Sequence, residues 1–345
     1  MDTIAAFEDA ETGKVIGPTF DAFLPLLSSN RNAFLSTRKA TFQYGRTPRH
    51  MMDIYYPDPA LMPAKHDAPV LFFFYGGGLS TGERTFAPPY DVLYSNLGWY
   101  FTQKGIVTIV SDYRLVPQVQ FPSSAEDVYK AVRWAIDNRE HIVNAGGPDV
   151  QYKFNFEGIF LMAHGSGVLH LSTALMLPGL LTGDHETRDR IAGAVFVAGT
   201  YGVKGLSQTD VVAGILAQYW GTYEALVKNS PQALLESAAK DLLAALPEIL
   251  IVEGEREPDW MVVGTREFQK RLAERRKKKE LVVVVDVNKV ELPEVELRTV
   301  TRMVAKGHNH ISVQLSPGSG QGEEWVEAVI KWMKNVLDNR LYIIF

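Results

Sequence analysis

The sequence predicts an α/β fold built on a mostly parallel sheet, and three observations carry that expectation. Seven short β-branched or aromatic runs recur along the chain: Met51 to Tyr56, Val70 to Phe74, Ile106 to Ser111, Ile159 to Ala163, Ala194 to Ala198, Ile249 to Glu253 and Leu297 to Val304. Helical patterns separate them, and strands alternating with helices are how parallel sheets are laid down. No Gly/Ser/Pro-rich spacer and no internal repeat divides the chain. One sheet-based domain over residues 1–345, with insertions, is therefore expected.

The elements follow in order. Residues 1–40 are mostly helical in pattern and precede the first strand, so they are expected to cover one end of the sheet as part of a cap. Between Ser123 and Asn138 the set Val128, Ala131, Val132, Ala135 and Ile136 falls on one helical face, with Ser123 and Ser124 available as caps. The stretch 203–246 lacks strand signals and carries Tyr219, Trp220 and Tyr223; it reads as a helical insertion that completes the cap. The run Arg275 to Lys279 ends a helix, where cations complement the negative end of the dipole. Leu281 to Val287 either pairs at the sheet edge or opens an insertion before the last strand.

Composition narrows the function classes. With 46% apolar and 22% charged residues the chain can bury a large core. Its net charge of −5 is too mild, and of the wrong sign, for a nucleic-acid partner. No apolar run is long enough to span a membrane, and Asp2, Glu8, Asp9 and Glu11 stand where a secretory signal would be basic and then apolar. A cytoplasmic protein is expected; whether two copies pair as a homodimer stays open. The cysteine count is zero, which excludes disulfides, thiol nucleophiles and Cys-ligated metal sites.

The strand Val70 to Phe74 runs into Tyr75-Gly76-Gly77-Gly78, whose amides can approach an anion closely. Three glycines also make a simple tight turn, so position decides between the readings. Ser111-Asp112-Tyr113-Arg114-Leu115 follows, then Phe121-Pro122 and a helix bearing Glu126, Asp127 and Trp134. This succession resembles the hormone-sensitive-lipase-like and carboxylesterase-like α/β-hydrolases, with the arylformamidases sharing much of it, over roughly Arg46 to Glu324. The resemblance implies an α/β-hydrolase fold with a helical cap. It also implies that Asp112, Arg114 and Asp127 brace the loops beside the site.

In that fold a sharp strand-to-helix turn with the pattern G-x-S-x-G carries the nucleophile, its outer positions kept small by neighbouring backbone. The segment here is Ala163-His164-Gly165-Ser166-Gly167-Val168. Centring on Gly165 puts Ala163 and Gly167 at the small positions, whereas centring on Ser166 puts His164 and Val168 there. Glycine thus stands where the resembling enzymes have serine. Three explanations compete: a serine exchanged for glycine in the laboratory, a natural non-catalytic relative, or a site in which Ser166 attacks. The first is favoured because the other catalytic parts are present.

The resemblance further implies a base after the last core strand, where Gly307-His308-Asn309-His310-Ile311 lies, and its Gly-x-x-His pattern selects His310. His308 then reads as a loop or pocket residue. Two histidines at i and i+2 could instead hold a metal, but no third ligand suggests itself. An acidic residue followed by proline orients the base in these families, which selects Glu257 before Pro258, with Asp259 as the fallback. Amides of Gly77, Gly78 and Ser166 form the expected oxyanion hole. Tyr75, where lipase-like members carry histidine, can brace the loop or offer a phenol to the pocket; it and Trp220 are the expected substrate-binding residues, and Phe20, Phe23 and Tyr223 add to an aromatic cap.

The expected activity is hydrolysis of a carboxylic ester, lactone or related acyl compound of modest size, a small-molecule substrate, with no cofactor or metal implied. A ligand-binding relative without turnover, and an acyl-transfer or cyclisation enzyme using the same site, are the alternatives.

Overall fold

A computed structural model describes residues 1–62, 67–204, 211–278, 280–286 and 301–343. Nine strands make one sheet among these residues, in the order β1-β2-β4-β3-β5-β6-β7-β9-β8. They are β1 (Lys39–Gln43), β2 (Met51–Tyr55), β3 (Ala68–Phe74), β4 (Val107–Ser111), β5 (Phe154–His164), β6 (Ile191–Val197), β7 (Glu248–Arg256), β8 (Val282–Val285) and β9 (Arg302–Asn309). The pairs β1·β2 and β2·β4 are antiparallel and the rest are parallel. This is the mostly parallel sheet the alternating pattern predicts.

The central strands read as unbroken apolar runs because helices cover both of their faces. Leu71 to Phe74 and Phe160 to Ala163 are almost fully buried, and Phe72 pairs with Leu161, Phe74 with Ala163. The helices include α1 (Thr12–Ser29), α2 (Ser123–Asp137), α3 (Ser166–Met176), α4 (Val211–Trp220), α5 (Asp259–Arg276) and α6 (Glu324–Ile343); α3, α5 and α6 lie against strands and α2 against α3, whereas α1 and α4 pack on other helices and loops. The predicted apolar face of α2 is buried throughout. Its start differs from expectation: Pro122 is the cap residue, and Ser124 Oγ donates instead to the Arg114 carbonyl at 2.6 Å.

Two further differences have local causes. β1 overlaps the end of the stretch expected to be helical and precedes the first expected strand; it is a short edge strand with one buried side chain, too little for a periodicity to register. The last core strand, described from Arg302, runs on through Gly307 to Asn309, a stretch that reads as loop. Gly307 takes a φ of 78°, and the β7·β9 register shifts between Gly254 and Arg256, so a bulge carries the strand past the glycine. Residues 287–300, which include the start of that expected strand and most of the expected insertion, lie outside the described residues. Within the Leu281 to Val287 run, Val282–Val285 pair at the edge, as β8 beside β9.

Candidate active site

Because β3, β5, β7 and β9 are parallel, their carboxyl ends lie along one edge, the usual ligand side of such sheets. Four chemistry-bearing segments leave that edge: Tyr75 to Gly78 after β3, Gly165 after β5, Glu257 after β7 and His310 after β9. Sequence separations of up to 235 residues are closed there by topology alone.

Gly165 sits between β5 and α3 with φ 54° and ψ −122°, a conformation that costs an ordinary residue strain. One residue beyond Ser166, a Cβ on Gly167 would collide with the Phe74 carbonyl oxygen, so the small position required by the centring on Gly165 is real. A Cβ built at Gly165 would lie 3.3 Å from Nε2 and 3.6 Å from Cε1 of His310, and 3.7 Å from the Cα of Gly76. His310 Nδ1 is 2.9 Å from Oε2 of Glu257, and both side chains are buried. The base-orienting carboxylate, the imidazole and residue 165 therefore stand in line. Asp259, the fallback acid, starts α5 and is exposed, whereas Glu257 holds the imidazole.

Ser166 differs from what a nucleophile needs. Its Oγ is buried and has no hydrogen-bond partner among the described residues. The glycine loop behaves otherwise: Gly77 and Gly78 take φ values of 149° and 59°. No carbonyl among the described residues accepts from the amides of Gly77, Gly78 or Ser166.

Tyr75 braces this loop from beneath instead of presenting its phenol to a pocket, which corrects its expected substrate-binding place. It is fully buried, its ring stacks between Tyr94 and Tyr113, and its hydroxyl donates to Asp112 while accepting from Arg49 at 2.8 Å. Asp112 also accepts from the Arg84 amide at 2.7 Å. Asp127 takes three bonds from Arg114, two of them at 2.7 Å from its guanidinium, and stands 3.0 Å from His50 Nε2. These are the bracing roles the resemblance implies. Trp220 packs in an apolar cluster with Leu79, Val116 and Leu169, stacked on Phe121, so it bears on the residue that follows the glycine loop.

The two remaining histidines of the region are structural. His308 is fully buried, with Nε2 2.8 Å from the Gly322 carbonyl and Nδ1 3.1 Å from Ser312 Oγ; burial pushes its pKa down to about 4. His164, which the sequence pattern leaves as an arbitrary residue, reaches the His310 carbonyl with Nε2 at 2.8 Å, its ring 4.9 Å from that of His310. Burial, then the neighbouring His310, lower its pKa to about 3, so it is a neutral prop under the His310 loop. The amino-terminal segment supplies another. Asn309 Nδ2 donates to Thr19 on α1 at 2.9 Å, Ile311 packs with Phe23 and Leu27, and Arg256 donates to the carbonyls of Ile4 and Phe7. No spacing in the sequence signals these contacts.

No group of three or more His, Asp or Glu side chains among the described residues could hold a metal ion. No described helix is long and apolar enough to cross a membrane.

A family profile described as BD-FAE matches residues 52–210. The chain is 27% identical over 150 residues to a protein of Arabidopsis thaliana named probable carboxylesterase 13, covering 42% of this chain and 44% of that one. It is 37% identical over 67 residues to arylacetamide deacetylase of Bos taurus, covering 19% of this chain and 16% of the relative. The matched segments thus span less than half of these relatives' lengths. Among solved structures, an esterase from Pyrobaculum calidifontis superposes with a TM-score of 0.61 at 18% identity, covering 97% of each chain. Carboxyl esterase 2 from Tuber melanosporum gives 0.57 at 18% identity, over 87% of this chain and 86% of that one. The sheet order, the strand-to-helix turn at residue 165 and the solved structures agree on an α/β-hydrolase fold, and the sequence matches are to proteins named as carboxylesterases and a deacetylase.

Proposed function

We propose that this is the site of a carboxylic ester hydrolase in which glycine replaces the nucleophilic serine at position 165. The observation that carries the reading is the aim of the Glu257–His310 pair: Oε2 of Glu257 holds Nδ1 at 2.9 Å, and Nε2 lies 3.3 Å from where a Cβ at residue 165 would stand. With serine at 165, the hydroxyl attacks the acyl carbon and His310 takes its proton, later returning it to the leaving alcohol. Glu257 fixes the tautomer and stabilises the imidazolium. The amides of Gly77, Gly78 and Ser166 receive the oxyanion. Residues 1–40 and 203–246 act as the cap, and Trp220 bounds the space for an apolar acyl or aryl group. The substrate is a small-molecule ester, in keeping with the esterases and deacetylase among the relatives.

The test is the Gly165→Ser protein on a panel of short-chain aryl esters. Restoring a nucleophile to an otherwise complete triad should raise kcat by about 10⁴ to 10⁶. Equal rates for the two proteins would sink the assignment.

A further inference from the structure

We propose that the chain as it stands hydrolyses activated acyl compounds without an acyl-enzyme, His310 directing a water molecule at the carbonyl from the place a residue-165 hydroxyl would occupy. The inference rests on the site reading above and asks what that site does with glycine in it. Three features separate this from a merely crippled enzyme.

First, the turn keeps its demanding geometry, with φ 54° and ψ −122°, so an acyl group docked against the loop meets the same backbone as in a serine enzyme. Second, the base is ready for a partner. His310 Nδ1 is held by Glu257 at 2.9 Å, and Nε2 makes no hydrogen bond among the described residues. Third, there is room. Chain neighbours aside, the atoms nearest to a Cβ at residue 165 are Nε2 and Cε1 of His310 at 3.3 and 3.6 Å and the Cα of Gly76 at 3.7 Å, so no other side chain is among the three atoms closest to the space between residue 165 and the base, which the proposal gives to water. No hydrogen bond joins the buried Ser166 hydroxyl to His310 among the described residues.

The step balances without any other reactant. Water oxygen bonds to the carbonyl carbon as one of its protons passes to Nε2, and the carbonyl electron pair moves onto the oxygen facing the Gly77, Gly78 and Ser166 amides. The tetrahedral intermediate then collapses; the bond to the leaving oxygen breaks, and Nε2 returns the proton to it. One tetrahedral intermediate replaces the two of the serine route and the acyl-enzyme between them, and nothing is ever attached to the protein. Water is a weaker nucleophile than a positioned serine, so esters with good leaving groups, aryl esters above all, are the substrates that reveal this route.

The experiment uses the full chain with p-nitrophenyl acetate, beside the His310→Ala, Glu257→Gln and Gly165→Ser proteins, each checked for a native circular dichroism spectrum. The unaltered chain should turn over steadily, without a burst of nitrophenol. Its rate should exceed that of His310→Ala by about 10²-fold or more, the usual weight of a general base. Glu257→Gln should also lower it, which keeps the test valid if His310→Ala does not fold. A fluorophosphonate that inactivates Gly165→Ser one to one should leave the unaltered chain's rate untouched, which also excludes a contaminating serine esterase. A rate in the unaltered chain no higher than in His310→Ala and Glu257→Gln would overturn the proposal while the site reading stands on Gly165→Ser. Failure of Gly165→Ser to gain turnover would overturn both.

Discussion

His308 and His310 are two residues apart, and their surroundings give them opposite characters. His308 spends both ring nitrogens on Gly322 and Ser312, and burial holds it neutral with a pKa of about 4. His310 gives one nitrogen to Glu257 and turns the other toward residue 165. In a Gly165→Ser background, His310→Ala should therefore lower kcat by about 10⁴-fold or more. His308→Ala should change kcat less than tenfold and show its effect as a loss of about 1–3 kcal/mol in urea unfolding, because it leaves the Gly322 carbonyl without the ring that meets it. The reverse ranking in steady-state kinetics would place the active loop two residues out of frame. The distinction was legible in the Gly-x-x-His spacing, but the prop that His164 supplies was not, because a side chain reaching a backbone carbonyl 146 residues away leaves no pattern.

At the scale of elements, the loops beside the site are held by carboxylates at strand ends. Asp127 on α2 is fully buried and gathers the Arg114 amide and guanidinium and the His50 ring, tying α2 to the strand end after β4. Removing its charge should cost about 3 kcal/mol, since a largely buried guanidinium loses its partner. Asp127→Asn should move the urea midpoint accordingly with an unchanged slope. A shift worth less than about 1 kcal/mol would mean that the ion pair contributes little to holding the loop. The family pattern marks Asp127 and Arg114 in sequence. It gives no sign of His50 or Arg49, which arrive from a different segment before β2 and at its start. The elements themselves were legible where burial imposes a pattern: β2 to β7 and the apolar face of α2 stand close to their expected places. β1 and the far end of β9 were not, because an edge strand with one buried side chain and a strand continuing through a glycine bulge carry no alternation to read.

For the molecule as a whole, three buried histidines set a common response to acid. His164 and His170 have pKa values lowered to about 3 and His308 to about 4, burial being the main cause in each. Each is near 6.5 in the unfolded chain. The unfolded state therefore binds more protons below that pH, and the stability these groups contribute is complete above about pH 6.5 and is lost as pH falls toward 4. Together they can steepen the decline by up to about 4 kcal/mol per pH unit near pH 5. His170 packs between the rings of Tyr113 and Tyr219, and neither nitrogen has a partner among the described residues. His170→Phe should thus flatten the curve by roughly a third, read as urea midpoints at pH 7.5 and 5.5; an unaltered slope would mean that His170 is not held neutral. Consecutive residues carry the sheet strands, because burial periodicity is written in them, and the resemblance to known hydrolases singled out Gly165, Glu257 and His310. The tertiary structure alone shows that Tyr75 braces the loop, that Ser166 Oγ makes no hydrogen bond to the base among the described residues, and that the amino-terminal segment and His164 hold up the His310 loop. Those outcomes depend on which side chains meet after the chain has crossed the sheet, and contacts between distant residues leave no trace in local spacing.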